Sequence, residues 1–397
     1  MQILFFAFVI IFLVHFIHSR EYIVSSYRKG GNSYEIEVLF DSIFILHRFI
    51  PIDLTYDYSL LSIPNYQPIS EVFLKETTLP DQQLNVMESK GFFNLVFSKT
   101  ALFDFYLYIN TKDKKSVKEF IGLAFHFNNE NYSLMHQLKK NNRINELSFT
   151  FERYDRDKVN NELYIGGYPK EKIINQHKAS LNVNDKFNSW GVNLYEINIE
   201  DHQRVISSYD NSHFAIINTN DDMIYVTKDV FSYIKRNVFS RYINENICEY
   251  IEEDNSLYIN CLLTELYDFP NITIVIDGVH FTLPKRKLFV PINSEDPYST
   301  CIIQSKSFDY FILGTSFFDE YITQFNYEQK QITFYSEIPF VIVDMNNVRS
   351  RKINYNIILI TEIMLLMSTF TLLLLRHGND NKRANMKCIL YSYKNSI

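Results

Sequence analysis

Between about Glu21 and Ile338 the chain runs in short segments in which apolar residues alternate with polar ones or form brief continuous runs: YEIEVLF, FNLVFSK, FDFYLYI, ELSFTFERY, ITIVIDGVHF and QITFYSE. Each is bounded by polar turn residues, a pattern that predicts many short strands rather than helices. Asp277-Gly278, set between two apolar runs, predicts a tight hairpin, because both central positions of such a turn need positive φ. Helical spacing is confined to SLMHQLKK after Asn131 and KDVFSYIKRNVFSRYI after Thr227. No low-complexity linker divides this stretch. The pattern therefore predicts one mostly β body of about 320 residues, too large for a simple sandwich.

The two ends read differently. Residues 3–17 (ILFFAFVIIFLVHFI) are apolar apart from His15 and give way to His18-Ser19 and then Arg20-Glu21. This predicts a signal peptide over 1–19, since the run is short for a membrane span. Residues 357–375 (IILITEIMLLMSTFTLLLL) have the length needed to cross a hydrocarbon layer of ~30 Å at ~1.5 Å per residue, which predicts a transmembrane helix. Glu362 falls in its first turns, where a carboxyl can reach the interface or take up a proton. Basic residues flank the run on both sides, Arg349, Arg351 and Lys352 before it and Arg376, Lys382, Arg383 and Lys387 after it. With the N-terminus translocated, a single-pass type I protein is expected, with a juxtamembrane linker over 341–356 and a cytoplasmic tail over 376–397. Its folded part would then lie in the lumen of the secretory pathway, at a vesicle or the cell surface.

Composition narrows the reading. Aromatic residues make up 16% of the 397, including 28 Tyr and 34 Phe, and these suit pleated, half-buried surfaces. A formal net charge of −7 and the lack of a concentrated cationic face exclude a nucleic-acid partner. Glycine supplies only 10 residues, so many positive-φ turns are expected to fall to Asn and Asp. Passage through the secretory pathway favours a disulfide among Cys248, Cys261 and Cys301; a Cys261–Cys301 bridge would be worth about 4 kcal/mol on a chain-entropy basis and would leave Cys248 over. Asn131-Tyr-Ser and Asn271-Ile-Thr are candidate glycosylation sites, adding minor support for a lumenal location.

Several blocks, in order, resemble the pepsin-like aspartic proteases. Phe120-Ile-Gly-Leu-Ala-Phe125 is similar to the family's G-L-G/A segment, and Leu134-Met-His-Gln-Leu138 with Leu147-Ser-Phe-Thr-Phe151 resembles the helix and strand after it. Asn161-Glu-Leu-Tyr-Ile-Gly-Gly-Tyr168 resembles the G-E-L-x-x-G-G block, Ser189-Trp-Gly-Val-Asn193 the strand opening the second half, and Pro270 to Gly278 the P-x-I-x-F-x-x-x-G hairpin. Phe311-Ile-Leu-Gly-Thr-Ser-Phe-Phe318 is similar to the I-L-G-D-x-F segment. The resemblance implies a bilobal, mostly β acid-protease fold with lobes over 20–178 and 179–340. It also makes Cys261 and Cys301 the counterparts of the family's cysteine pair.

The family's reaction uses two Asp-Thr-Gly turns whose carboxylates share a proton and hold a water. Counting back from Ile63-Pro64 puts Thr55 at the first aspartate position and Asp57 in the glycine place. In Ala215-Ile-Ile-Asn-Thr-Asn220 the second aspartate is replaced by Asn218 and the glycine by Asn220. Asp57 and Asn220 belong to the few non-glycine types that tolerate the left-handed region, so the turns are expected to keep their shape. Met87 falls where the flap tyrosine is expected. No catalytic aspartate is then intact, and Asp53, Asp57, Asp221 and Asp222 would have to substitute from a distance. The implied protein is a membrane-tethered pseudo-protease holding an extended peptide or protein in its interlobe cleft; the alternative is an aspartic endopeptidase with an altered dyad. No metal-binding, phosphate-binding or G-x-S-x-G motif is present, so neither a metal nor a cofactor is expected. Trp190 and His213 read as packing and strand residues.

Overall fold

The computed structural model describes residues 22–30, 33–40, 46–62, 73–79, 84–95, 103–110, 118–125, 131–155, 158, 161–184, 186, 189–200, 206–207, 213–253, 255–292, 296–306, 310–343 and 361–369. The predicted signal peptide, cytoplasmic tail and most of the linker lie outside these. Of the predicted span, 361–369 is described and is helical, and among the described residues no helix is long and apolar enough to cross a membrane. The chain divides into two compact units after Val343.

In the first unit the predicted strands assemble into two large sheets. One is built on a six-stranded antiparallel platform running His177–Asn182, Gln331–Ser336, Ile322–Asn326, Ser148–Phe151, Asn161–Ile165, Ile23–Gly30. Strands from both halves of the sequence interleave there, so the boundary expected at 178/179 falls inside a platform strand. Alternation explains why the platform buries one face deeply: Phe149, Phe151, Phe325, Ile332 and Phe334 all point into the core and are at most 1% exposed. Phe149 stacks on Phe325 at 4.7 Å, and Trp190 meets Phe325 edge-on at 5.0 Å. Such offset and edge contacts add to what area burial alone gives.

The first half continues the platform through Ser33–Phe40, which pairs with both Leu46–Asp53 and Leu84–Leu95. The second half has its own sheet, with Gly191–Ile199 paired to His213–Ile217 and to Ile272–Ile276. The hairpin predicted at Asp277-Gly278 forms between Ile272–Ile276 and Val279–Leu283, with φ of 46° and 82° at its two turn residues. Asn142, Asn246, Asn255 and Asp268 also take positive φ, as a glycine-poor chain requires; Lys330 joins them, whereas Asp57 and Asn220 do not. Both predicted helical stretches form. Leu134–Lys140 starts at Ser133, whose hydroxyl accepts from the His136 N–H, and Lys228–Ile234 continues through a π-turn, Lys235–Phe239, into Ser240–Asn244.

The disulfide corrects the expected pairing. Cys248 bonds Cys261, directly opposite it in the antiparallel ladder of Cys248–Glu253 and Ser256–Leu262, with Cα atoms 4.1 Å apart. Across the other side of Cys261 stands Ser299, while Cys301 faces Phe289. Cys301 is therefore free and buried, and burial pushes its thiol up to about 12. The register decides the partner here, and sequence spacing does not encode it.

A buried ionic group ties the first hairpin to the second half. Lys29 Nζ lies 2.7 Å from Asp222 and 3.1 Å from Asp319. The Tyr34 hydroxyl donates to Asp319, and that of Thr315 to Asp222. Burial holds Asp319 above the ordinary carboxylate range despite Lys29 and Tyr34. Lys29 is pulled down by burial but raised on balance by Asp319 and Asp222.

Two outcomes are expected. Cys248→Ser should cost about 3 kcal/mol in a denaturant titration, from restored loop entropy in the unfolded chain, whereas Cys301→Ser should leave the disulfide intact by mass mapping. A carboxyl whose pKa is raised by folding binds its proton more tightly folded than unfolded, so its contribution is full below the ordinary carboxylate value and is lost as pH rises through the raised one. Wild type should accordingly gain stability relative to Asp319→Asn as pH falls through that window, read from paired urea midpoints.

Candidate functional site: the facing turns of the two halves

Each half contributes one turn, built the same way. Leu46–Asp53 runs parallel to Ile121–Gly122, pairing Ile52 with Ile121 and Asp53 with Gly122. His213–Ile217 runs parallel to Phe311–Leu313, and the next residue, Asn218, donates its N–H to the Leu313 carbonyl at 3.0 Å. Gly122 packs against the carbonyls of Tyr56 and Tyr58, and Gly314 against those of Asp221 and Met223. A Cβ at either glycine would collide with backbone oxygen that cannot move aside, so both positions require glycine.

These spacings fix which residues correspond. Tyr56 follows Asp53 by three, as Asp221 follows Asn218 by three. The internal bonds agree: the Thr55 N–H donates to Asp53 Oδ1 at 2.8 Å, and the Asn220 N–H to Asn218 Oδ1 at 2.9 Å. Asp53 is thus the counterpart of Asn218, while Thr55 is exposed and corresponds to Asn220. The expected position at Thr55 was counted from Ile63-Pro64, which lie outside the described residues, and the spacing to Gly122 places the turn residue two positions earlier. A usable signal was present. In both halves the turn residue directly follows an apolar strand end, Ile50-Pro-Ile52 before Asp53 and Ala215-Ile-Ile217 before Asn218.

The turns meet across the halves. The Thr219 hydroxyl donates to the Ile52 carbonyl at 2.6 Å, and Thr219 is fully buried. The matching residue of the first turn is Leu54, which is fully buried and has no hydroxyl to reciprocate. Asn220 Nδ2 donates to Asp53 Oδ2, and the Thr55 hydroxyl donates to Asp53 Oδ1. Asp53 is only 3% exposed, and both of its oxygens are engaged. Behind the turns, Trp190 Nε1 donates to the Leu123 carbonyl at 2.8 Å, and the Trp190 carbonyl accepts from the Ile217 N–H at 2.9 Å. One residue so braces the segments behind both turns.

Other acidic groups are committed elsewhere. Asp221 accepts from the Tyr225 hydroxyl at 2.6 Å and from the Met223 N–H, with Lys306 at 3.7 Å. Asp222 belongs to the Lys29 group. Asp57 lies four residues past Asp53 and is half-buried. The expected flap residue Met87 lies within Leu84–Leu95, paired with Glu76 in Phe73–Leu79. The pairing closes at Leu79 and Leu84, so the tip of that hairpin is 80–83, outside the described residues, and Met87 sits three pairs back from it. An aromatic group flanks the first turn: Tyr56 stacks on Phe120 at 4.4 Å, and Tyr108 on Tyr132 at 4.6 Å. His213 is a strand residue whose ring meets Phe311, and burial lowers its pKa. Asn131 is exposed and Asn271 half-buried.

Comparison with known proteins matches this geometry to a family. The family model for eukaryotic aspartyl proteases matches residues 107–336. No curated protein matches the chain in sequence. Among solved structures, the fold is similar to an aspartic proteinase from Irpex lacteus, at 12% identity and a TM-score of 0.60 over 79% of this chain and 96% of that one. It is also similar to basic 7S globulin from soybean, at 13% identity and a TM-score of 0.61 over 80% and 95%. With a family match over more than half of its length, and facing turns joined through Thr219, the chain belongs to the eukaryotic aspartyl protease family.

Proposed function

We propose that this protein is a non-catalytic member of that family, anchored to a membrane through 357–375, whose interlobe cleft holds an extended peptide or protein segment. The observation that carries the reading is that the position matching Asp53 in the second turn holds Asn218 and not a second carboxylate. Peptide hydrolysis by this family needs one carboxyl group to take a proton from water while its partner supplies one to the carbonyl, and the two share a proton because like charges that close cannot both ionise. An asparagine amide keeps the hydrogen-bonding shape of a carboxyl but neither gives nor takes a proton in water. Loss of one proton-transfer partner removes roughly 10²–10⁴ in rate by itself.

Asn220 adds a second obstacle. A glycine there would leave Asp53 Oδ2 open to water, whereas the Asn220 amide takes that oxygen. Binding outlasts this loss of chemistry, because strand-like pairing of an extended peptide draws on main-chain groups rather than on the dyad. The Cys248–Cys261 disulfide supports a secretory-pathway location, since disulfides persist in oxidising compartments.

A second reading keeps activity in an altered dyad, and the retained, buried Asp53 is the observation that favours it. The two separate cleanly. The purified chain should leave denatured protein uncut from pH 3 to 7; pepstatin-sensitive cleavage would establish the second reading. The double variant Asn218→Asp with Asn220→Gly should acquire acid-dependent, pepstatin-sensitive cleavage, because it restores a carboxyl pair and unblocks Asp53. Asn220→Gly alone should not.

A further inference from the structure

We propose that the end of the first hairpin is an acid-set latch on the second turn, firm when Asp319 carries a proton and looser when it is ionised. The hairpin reaches that turn through its backbone as well as its side chains. Lys29 and Tyr34 are directly opposed in the ladder of Ile23–Gly30 and Ser33–Phe40, so their side chains leave the sheet on one face. The Tyr34 N–H donates to the Thr219 carbonyl at 2.9 Å, in the turn that holds Asn218. Thr219 is thereby held from two directions, since its hydroxyl reaches the Ile52 carbonyl.

The side chains beside that bond are unevenly charged. One ammonium, Lys29, lies between two carboxylates, Asp222 and Asp319, and the three side chains are only 13%, 10% and 10% exposed. The other groups that face Asp319 bring no second cation. The Tyr34 hydroxyl donates to its Oδ1, and the Tyr27 ring lies 4.7 Å from that of Tyr34, with its own hydroxyl on the Glu152 carbonyl. The Tyr154 N–H donates to the Asp319 carbonyl, and the Tyr154 ring sits 5.6 Å from Lys29 Nζ. Thr315 gives its hydroxyl to Asp222, and Glu320, next in the chain, turns to Arg153 and Lys287. Counted over the described residues, the group carries one surplus negative charge when both carboxyls are ionised.

A buried charge without a partner is costly, and a proton on Asp319 removes it. With the hairpin end lifted, Asp319 meets water and titrates as an ordinary carboxyl. Docked, it keeps its proton to higher pH, in keeping with the burial that raises it. The docked state binds the proton more tightly, so docking strengthens as pH falls through the raised value towards the ordinary one of about 4, and weakens as pH rises through it. Such local opening needs no loss of the core. The latch concerns the support of the second turn, and it applies whether the cleft cuts a peptide or only holds one.

The test is amide hydrogen exchange of the full chain from pH 4 to 7, read by mass spectrometry and corrected for the intrinsic pH dependence of exchange. Protection of the peptides 29–40 and 218–224 should rise as pH falls, by up to about tenfold per pH unit inside the titration window. The platform strands Ser148–Phe151 and Ile322–Asn326 should not follow. Asp319→Asn, which keeps an acceptor for Lys29 and carries no charge, should hold the acid level of protection across the whole range. A flat wild-type profile overturns the proposal. So does a rise shared equally by the platform strands, which makes the group a contributor to global stability alone, and so does an Asp319→Asn chain that keeps the wild-type slope. Should that variant not fold, the wild-type series with its platform comparison decides the matter by itself.

Discussion

The hydrogen bond from the Thr219 hydroxyl to the Ile52 carbonyl is the constraint on which the centre of the molecule depends. It joins the residue after Asn218 to the residue before Asp53, so the two turns cannot drift apart without exposing a buried donor and a buried acceptor together. Leaving such groups unpaired costs about 1–3 kcal/mol each. A symmetric protein would make the bond twice. Here Leu54 removes the reciprocal one, and apolar packing at that fully buried position takes its place. Trp190 supports the same junction from behind, with its indole on the first half and its carbonyl on the second.

The scaffold around the turns and the side chains at its centre answer to different demands. Gly122 and Gly314 are dictated by contact with backbone oxygen, and any side chain there would push the turns open. Asn218 meets the geometric demand as well as an aspartate would, since its Oδ1 accepts the same N–H two residues on. The amide differs in carrying no charge, in donating through its nitrogen where a carboxylate accepts, and in being unable to exchange a proton as a carboxyl does. The Asn220 side chain in turn donates to Asp53 Oδ2, a bond that crosses between the halves.

The architecture was legible in the sequence because period-two alternation and the Asp277-Gly278 turn are local signals, and local signals survive without knowledge of the register. The ordered blocks from Phe120 to Phe318 supplied the fold for the same reason. Asn218 was legible because Ala215-Ile-Ile217 and Thr219 around it are intact. Asp53 was not, because Leu54 and Thr55 stand where an Asp-Thr-Gly pattern has threonine and glycine. The disulfide failed for a physical cause of a different kind. Which of two cysteines faces Cys261 depends on the relative register of three strands, and Ser299 rather than Cys301 holds the opposing place. The clasp of Lys29 with Asp222 and Asp319 was equally hidden, because its members lie nearly the length of the first unit apart in sequence.

The position of Trp190 has a practical consequence. It is the only tryptophan in the chain, fully buried where the platform meets both turn-bearing segments, with its indole N–H on a backbone carbonyl. Red-edge-excited emission therefore reads a single chromophore at a single mechanical junction. A colour shift on adding a cleft ligand would report hydration of that junction directly, free of the overlapping signals that obscure such measurements in proteins with several indoles.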